Sequence, residues 1–236
     1  MKEVLVIMRR ELASYFLSPI AYAVTAVFIL LYGLFFSGIV LGFGVANLEY
    51  AFSNMVVVLL FMAPLMTMRT LAEEKKTGVD ELLMTAPIST GNFVFGKFFA
   101  VCVALLSMMA LTVIHFLIVH HYAAPDWGPI LTSLCGLFLA GVSFLAVGIF
   151  TSSLTDNQII SALFSFGILL FFWLVDWMAE AVGGKTGELL GNLSLIKHYE
   201  DFNKGILDSS HIIFYLTMTA IFLFLTVRQL ESRRWK

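Results

Sequence analysis

The chain has 236 residues, of which 60% are hydrophobic and only 13% charged, with a formal net charge of -2 and a mean hydropathy of +0.93. A soluble domain averages roughly 45 to 50% apolar and about 25% charged residues. This much apolar surface cannot be hidden in one water-soluble core, so lipid must act as part of the solvent, and no nucleic-acid partner is expected.

At the amino terminus, Leu5, Met8, Leu12, Tyr15 and Phe16 recur at helical spacing, whereas Glu3 and Arg10 point the other way. That pattern describes an amphipathic helix lying in the membrane interface; the simpler alternative is a basic tail. Pro19 ends it, because the residue before a proline is pushed out of the helical region. Residues 1–19 are therefore read as one element and 20–236 as a single transmembrane domain.

A bilayer core of roughly 30 Å takes about 20 helical residues. Six runs fit or come close: Ile20 to Val45, Ala51 to Met68, Phe98 to Val119, Ile130 to Phe150, Ile159 to Val175 and Ile212 to Val227, none containing Lys, Arg, Asp or Glu. Strands of a membrane barrel would appear as segments of about ten alternating residues, so the expected fold is all-α. The first run is too long for the apolar region of a cleaved signal peptide. It is expected to stay as an anchor.

Eleven of the fourteen Lys and Arg residues fall in the amino-terminal segment, the 69–97 loop and the carboxy-terminal tail. Cytoplasmic loops carry the basic excess, which puts both termini and that loop in the cytoplasm. A tight turn from Thr151 to Gln158 is expected on the same side. Lys185, Lys197 and Lys204 lie on the other side, in the long external segment 176–211. Apolar residues interleaved with charges there suggest short helices, which either cap the bundle or dip back into the bilayer.

Pro64 stands near the end of the second run, where an intramembrane proline bends a helix. The loop that follows holds Glu73-Glu74-Lys75-Lys76, Gly78, then Asp80-Glu81-Leu82-Leu83 and Pro87. Gly78 supplies the backbone freedom for a turn between two short helices, and Val79, Leu82, Leu83 and Ala86 line one face of the second. Such a pair either docks a partner or packs on its own spans.

Candidate chemistry is sparse. His115 is central in a span and is read as a packing residue. Adjacent His120 and His121 diverge by about 100° on a helix, so they do not share a face. Asp176 and Glu180, one turn apart at the end of the fifth span, are read as solvated carboxylates. Cys102 and Cys135 are read as buried apolar thiols. No phosphate-binding Gly-x-x-x-x-Gly-Lys-Ser/Thr loop occurs, so any ATP that drives this protein must be bound elsewhere. No catalytic, cofactor or metal residue is assigned.

The run Leu71-Ala72-Glu73-Glu74-Lys75-Lys76-Thr77-Gly78-Val79-Asp80-Glu81-Leu82-Leu83-Met84-Thr85-Ala86-Pro87, followed by Phe95-Gly96-Lys97, resembles the signature of ABC type-2 transporter permeases. Arg9-Arg10-Glu11 and the residues after them look like the family's connecting helix. The stretch from Leu193 to Asp208 is similar to the gliding-motility-associated branch. Val79 stands where the family often has Thr, and one extra acidic residue follows, which leaves the register of Glu81 on the family's Glu open. The resemblance implies a dimer of six-span permeases over a cytoplasmic ATPase dimer that holds ATP and Mg, in a bacterial cytoplasmic membrane, possessing a second or related permease copy and, in this branch, a large extracytoplasmic subunit. It also implies that Glu73, Glu74, Lys75, Gly78, Glu81, Leu82 and Leu83, with Arg9, Arg10 and Glu11, contact the ATPase. A histidine-based membrane redox or metal protein and a passive membrane anchor are the competing readings.

Overall fold

A computed structural model describes residues 2–43, 48–78, 88–122 and 126–233. The predicted second helix of the coupling loop, with Glu81, Leu82 and Leu83, lies outside them. Among the described residues the chain is helical without strands: α1 (Lys2–Leu17), α2 (Pro19–Phe43), α3 (Glu49–Thr67), α4 (Ala72–Thr77), α5 (Thr90–Leu111), α6 (Val113–Tyr122), α7 (Trp127–Leu154), α8 (Gln158–Val182), α9 (Gly184–Gly191), α10 (Leu195–Asn203) and α11 (Ser209–Arg233). Six stretches are long and apolar enough to cross a membrane: α2, α3 with its extension, α5 with α6, α7, α8 and α11.

Polar caps set the helix starts outside the apolar runs. Ser89 accepts a hydrogen bond from the Asn92 amide, so α5 begins at Thr90 and the third span is longer than its apolar part. The same span breaks after Leu111, where the Thr112 hydroxyl turns back onto the Met109 carbonyl at 2.7 Å. Asn157 caps α8 through the amides of Ile159 and Ile160. The turn between α7 and α8 is accordingly shorter than the expected Thr151 to Gln158, because α7 runs on to Leu154 and buries Thr151, Ser152 and Ser153.

Helix α7 is the axis of the bundle. Of its most apolar stretch 72% is buried, against 22% for α8. Small residues let its neighbours approach. A Cβ at Gly148 would overlap the Thr67 hydroxyl of α3, and one at Gly136 would stand 2.7 Å from Phe202 of α10. Thr67 is fully buried and its hydroxyl donates to the Ala63 carbonyl at 2.7 Å, which keeps it satisfied at this contact. Pro64 leaves the last turn of α3 intact, with the Met68 amide bonded to the Pro64 carbonyl at 2.9 Å.

Two readings of the sequence change. Glu3 does not point away from the protein: it accepts a hydrogen bond from Asn92 on α5 at 2.8 Å. The face of α1 turned to α5 includes Ile7 and Glu11, whereas Leu5 and Phe16 stay exposed. Cys102 is buried, but Cys135 is exposed on the outer face of α7. Helical phase decides this, since apolar residues here face lipid as well as core.

The segment between the fifth and sixth spans is a wedge. Leu195, Tyr199 and Phe202 are buried on one face of α10, and Phe202 reaches Gly136, nine residues into α7. Asn203 accepts from the Ser133 hydroxyl at 3.0 Å and donates to the Ser53 hydroxyl at 2.6 Å, tying α7 to α3. A polar chain closes the wedge on α11. His198 Nε2 donates to the Asn192 carbonyl at 3.0 Å, His198 Nδ1 faces His211 Nδ1 at 2.6 Å, and His211 Nε2 donates to Asp201 at 2.8 Å. With both Nε2 protons committed to acceptors, the Nδ1–Nδ1 contact is a hydrogen bond only through one proton shared by the two rings; a second would set two donors against each other.

Two outcomes follow from this packing. Gly148→Ala is expected to cost about 1 to 3 kcal/mol by overpacking, read as a lowered melting temperature in detergent and partly recovered by Thr67→Ala. For the wedge, burial pushes the His198 imidazole below its ordinary value, opposed by the Asn192 carbonyl, and the His211 hydrogen bond holds the Asp201 carboxyl below the usual range. In both cases the unfolded segment binds protons more readily than the folded one, so stability falls on acidification, first below about pH 6.5 for His198 and then below about pH 4 for Asp201. Hydrogen-exchange protection over 195–203, taken relative to the intrinsic exchange rate at each pH, should fall between pH 7.5 and 5.5, and His198→Gln should flatten that response.

Candidate functional site

The carboxy-terminal half of α1 and the amino-terminal parts of α4 and α5 meet at Lys97. This side chain is 1% exposed, one residue after Gly96 and inside the third span. It was counted with the basic loop residues in the sequence, yet it is a buried cation. Its ammonium donates to Glu11 Oε1 at 2.8 Å and to the Thr70 carbonyl at 2.7 Å. Glu74 Oε2 stands 3.0 Å away, off the hydrogen-bonding direction, as a Coulomb contact. The Phe93 ring covers another side at 5.1 Å.

Charges alternate outward from that centre. Arg10 reaches Glu74 Oε1 at 3.4 Å, so Arg10, Glu74, Lys97 and Glu11 form a neutral chain running from the exposed edge of α1 into the bundle. Removing an ion from water costs several kcal/mol, which only close opposite charges and further hydrogen bonds offset. The close packing of α1 on α5 makes these distances possible: a Cβ at Gly96 would lie 2.7 Å from the Ile7 side chain.

Helix α4 is held from a second direction. It lacks a side-chain cap of its own. The Ser152 hydroxyl, at the end of α7, accepts from the amides of Leu71 and Ala72 at 3.0 Å each and donates to the Met68 carbonyl at 3.2 Å. A serine more than seventy residues away thus does the work of an N-cap. Lys75 donates to the Ser153 carbonyl. Arg69 grips Glu73 through two hydrogen bonds, at 2.7 and 3.0 Å, and the Ser18 hydroxyl at 3.0 Å. At the far end Gly78 closes α4 with φ 71°, a conformation glycine adopts without strain.

Of the residues assigned to ATPase coupling, the structure brings Glu73, Glu74, Lys75 and Gly78 onto α4 and joins Glu74 to Arg10 and, through Lys97, to Glu11. Arg9 is exposed on α1, outside the ion chain. Glu81, Leu82 and Leu83 lie outside the described residues. The sequence reading missed Lys97 as a structural cation, and with it Asn92, Ser152 and Ser153. The available signal was a lysine directly after a glycine at the head of an otherwise uncharged run.

His115 and His120 of the third span do not converge. The His115 ring sits edge-on against Tyr32 and Phe36, with centroids 4.9 Å apart in each case, whereas His120 lies on Trp127 at 5.5 Å. Asp126, near them in sequence, caps α7 through the Gly128 amide. Asp176 and Glu180 line an open cleft with Glu188 and Lys197 at the wedge. Among the described residues no three His, Cys, Asp or Glu side chains form a metal-holding group.

Residues 44–185, more than half of the chain, match the family described as ABC-2 family transporter protein. The match contains α4 and Lys97 but neither α1 nor α11. No curated protein matches the chain.

Lys97→Met tests the ion chain. It strands Glu11 and Glu74 in a site built for a cation, and breaking a buried pair in this way costs about 3 to 5 kcal/mol. The added changes Glu11→Gln and Glu74→Gln should restore most of the loss. Melting of the single and triple variants in detergent measures both effects.

Proposed function

We propose that this chain, which belongs to the ABC-2 family of transporter proteins, is the permease subunit of an ATP-driven exporter. Its ATPase is a separate cytoplasmic dimer holding ATP and Mg, and α1 and α4 form the face that receives it. The observation that carries the reading is the buried Lys97 chain. It locks α1, α4 and the head of α5 to one another, and Ser152 adds the end of α7.

Mechanical coupling needs a stiff element with two arrangements that both sites bias. A push on α4 bears on Lys97 of the third span through Glu74 and on α7 through Ser152, while a push on α1 bears on the same lysine through Glu11. Leu82 and Leu83 supply the apolar contact with the ATPase, Glu81 its register, and Arg9 and Arg10 the rim of α1. The termini and this face are cytoplasmic, in a bacterial inner membrane, as the basic residues at 2–10, 69–76 and 228–236 support.

A second permease copy completes the pathway. Supporting it, only 28%, 22% and 28% of the most apolar stretches of α2, α8 and α11 are buried within the chain. The stretch from Leu193 to Asp208 supports the gliding-motility-associated branch and an extracytoplasmic partner above the wedge.

Burying a leucine contributes about 1.5 to 3 kcal/mol. Leu82→Ala with Leu83→Ala should therefore weaken ATPase binding on the order of a hundredfold or more, while Glu74→Gln changes it less. Co-purification of the ATPase and coupled ATP hydrolysis in liposomes read the effect. A double variant that inserts normally, keeps its ATPase and transports at the wild-type rate sinks the assignment. Unchanged function after the partner ATPase is made unable to hydrolyse ATP would favour a passive anchor.

A further inference from the structure

Between α1, the head of α2, the end of α3 and α5 lies a cleft open on one side, with about 610 Å³ of empty space once its open mouth is included. Its lining changes character across its width. One wall is polar, with Ser14, Ser18, Arg69 and Glu73; the other is apolar, with Ile20, Leu65 and Val101. Ile20 and Leu65 are 38% and 39% exposed, so the apolar wall continues onto the outer surface of two spans. The cleft sits where polar α1 gives way to apolar α2. An amphiphile with a polar head and hydrocarbon tails matches that change, and a wholly polar or wholly apolar guest does not.

The charges narrow the head. Arg69 faces Glu73, and Glu11, which also lines the cleft, faces Lys97 behind it. These four charges cancel, so a guest of one sign meets no surplus of the other, whereas a guest carrying both signs meets each. Arg69 has five N–H donors, and its hydrogen bonds go to Glu73 twice and Ser18 once. Ser14 is exposed to the cleft mouth. The Tyr15 hydroxyl is buried beside it without a hydrogen-bond partner among the described residues, a costly state for a polar group.

We propose that this cleft binds one phospholipid of the adjacent leaflet whose headgroup is a phosphodiester bearing a primary ammonium. The phosphate takes hydrogen bonds from Arg69, Ser14 and the Tyr15 hydroxyl. The ammonium donates to the carboxylates of Glu11 and Glu73. The acyl chains run along Ile20 and Leu65. The lipid is a resident of the junction rather than cargo, and its binding needs no ATPase.

The test is native mass spectrometry of the full chain, delipidated in detergent and titrated separately with phosphatidylethanolamine, phosphatidylglycerol and water-soluble glycerophosphoethanolamine. The expected result is one bound phosphatidylethanolamine, favoured about tenfold over phosphatidylglycerol. Ser14→Trp, which fills the cleft from its mouth, should weaken binding about tenfold or more. Tyr15→Phe, which removes only the orphaned hydroxyl, should weaken it severalfold. If Ser14→Trp also lowers the melting temperature, Tyr15→Phe decides alone. Equal binding of the two lipids, or unchanged binding in Tyr15→Phe, overturns the proposal by making the lipid a non-specific annulus. Glycerophosphoethanolamine binding as tightly as the lipid overturns it in favour of a soluble phosphoester.

Discussion

A cation that cannot reach water organises one end of this protein. Lys97 is 1% exposed in a helix that is otherwise hydrocarbon-like, and an unpaired ammonium there would cost more than most single contacts return. The chain meets that cost by bringing two carboxylates from different elements, Glu11 and Glu74, and one carbonyl, Thr70, onto the same nitrogen. Everything nearby is arranged to make those approaches possible. Gly96 lets α1 lie against α5, and Ser152 anchors the start of α4. The position of α1 therefore cannot change without moving α4 or breaking the pair.

Helix α7 carries that constraint to the opposite end. Its 28 residues span about 42 Å at 1.5 Å per residue. Ser152 at one end holds α4, while Ser133 and Gly136 at the other receive Asn203 and Phe202 of the wedge. Thr67 against Gly148 binds α3 to the same helix. Packed interiors are little compressible, and through these contacts α7 joins α4 to α10. The broken third span is the contrasting element. Its division after Leu111 leaves His115 among Tyr32 and Phe36, on the second short helix α6.

The wedge shows how a largely apolar chain hides polar groups. Its hydrogen bonds run between side chains that arrive from α3, α7, α10 and α11, so each donor is met by an acceptor from another element. Protonation of His198 removes one acceptor from that set, which makes this end of the bundle sensitive to acid. The Lys97 junction is bound by paired charges of both signs.

Composition and hydropathy by themselves determined that the chain is helical and crosses the membrane six times, because a backbone in hydrocarbon must satisfy its own hydrogen bonds and about 20 apolar residues are needed for each crossing. They located α4, through Glu73-Glu74-Lys75-Lys76 before Gly78, and short helices within 176–211, but left open whether these cap the bundle or dip into the bilayer. Periodicity did not say which apolar face of α1 or α7 looks inward, since lipid accepts the same residues as the core; Leu5 and Cys135 turned out exposed for this reason. Nor did it assign Lys97, whose charge looked like one more topology signal. Its pairing with residues 86 positions earlier and 23 positions earlier is a long-range contact, and only the tertiary fold decides which distant carboxylates share a buried cation.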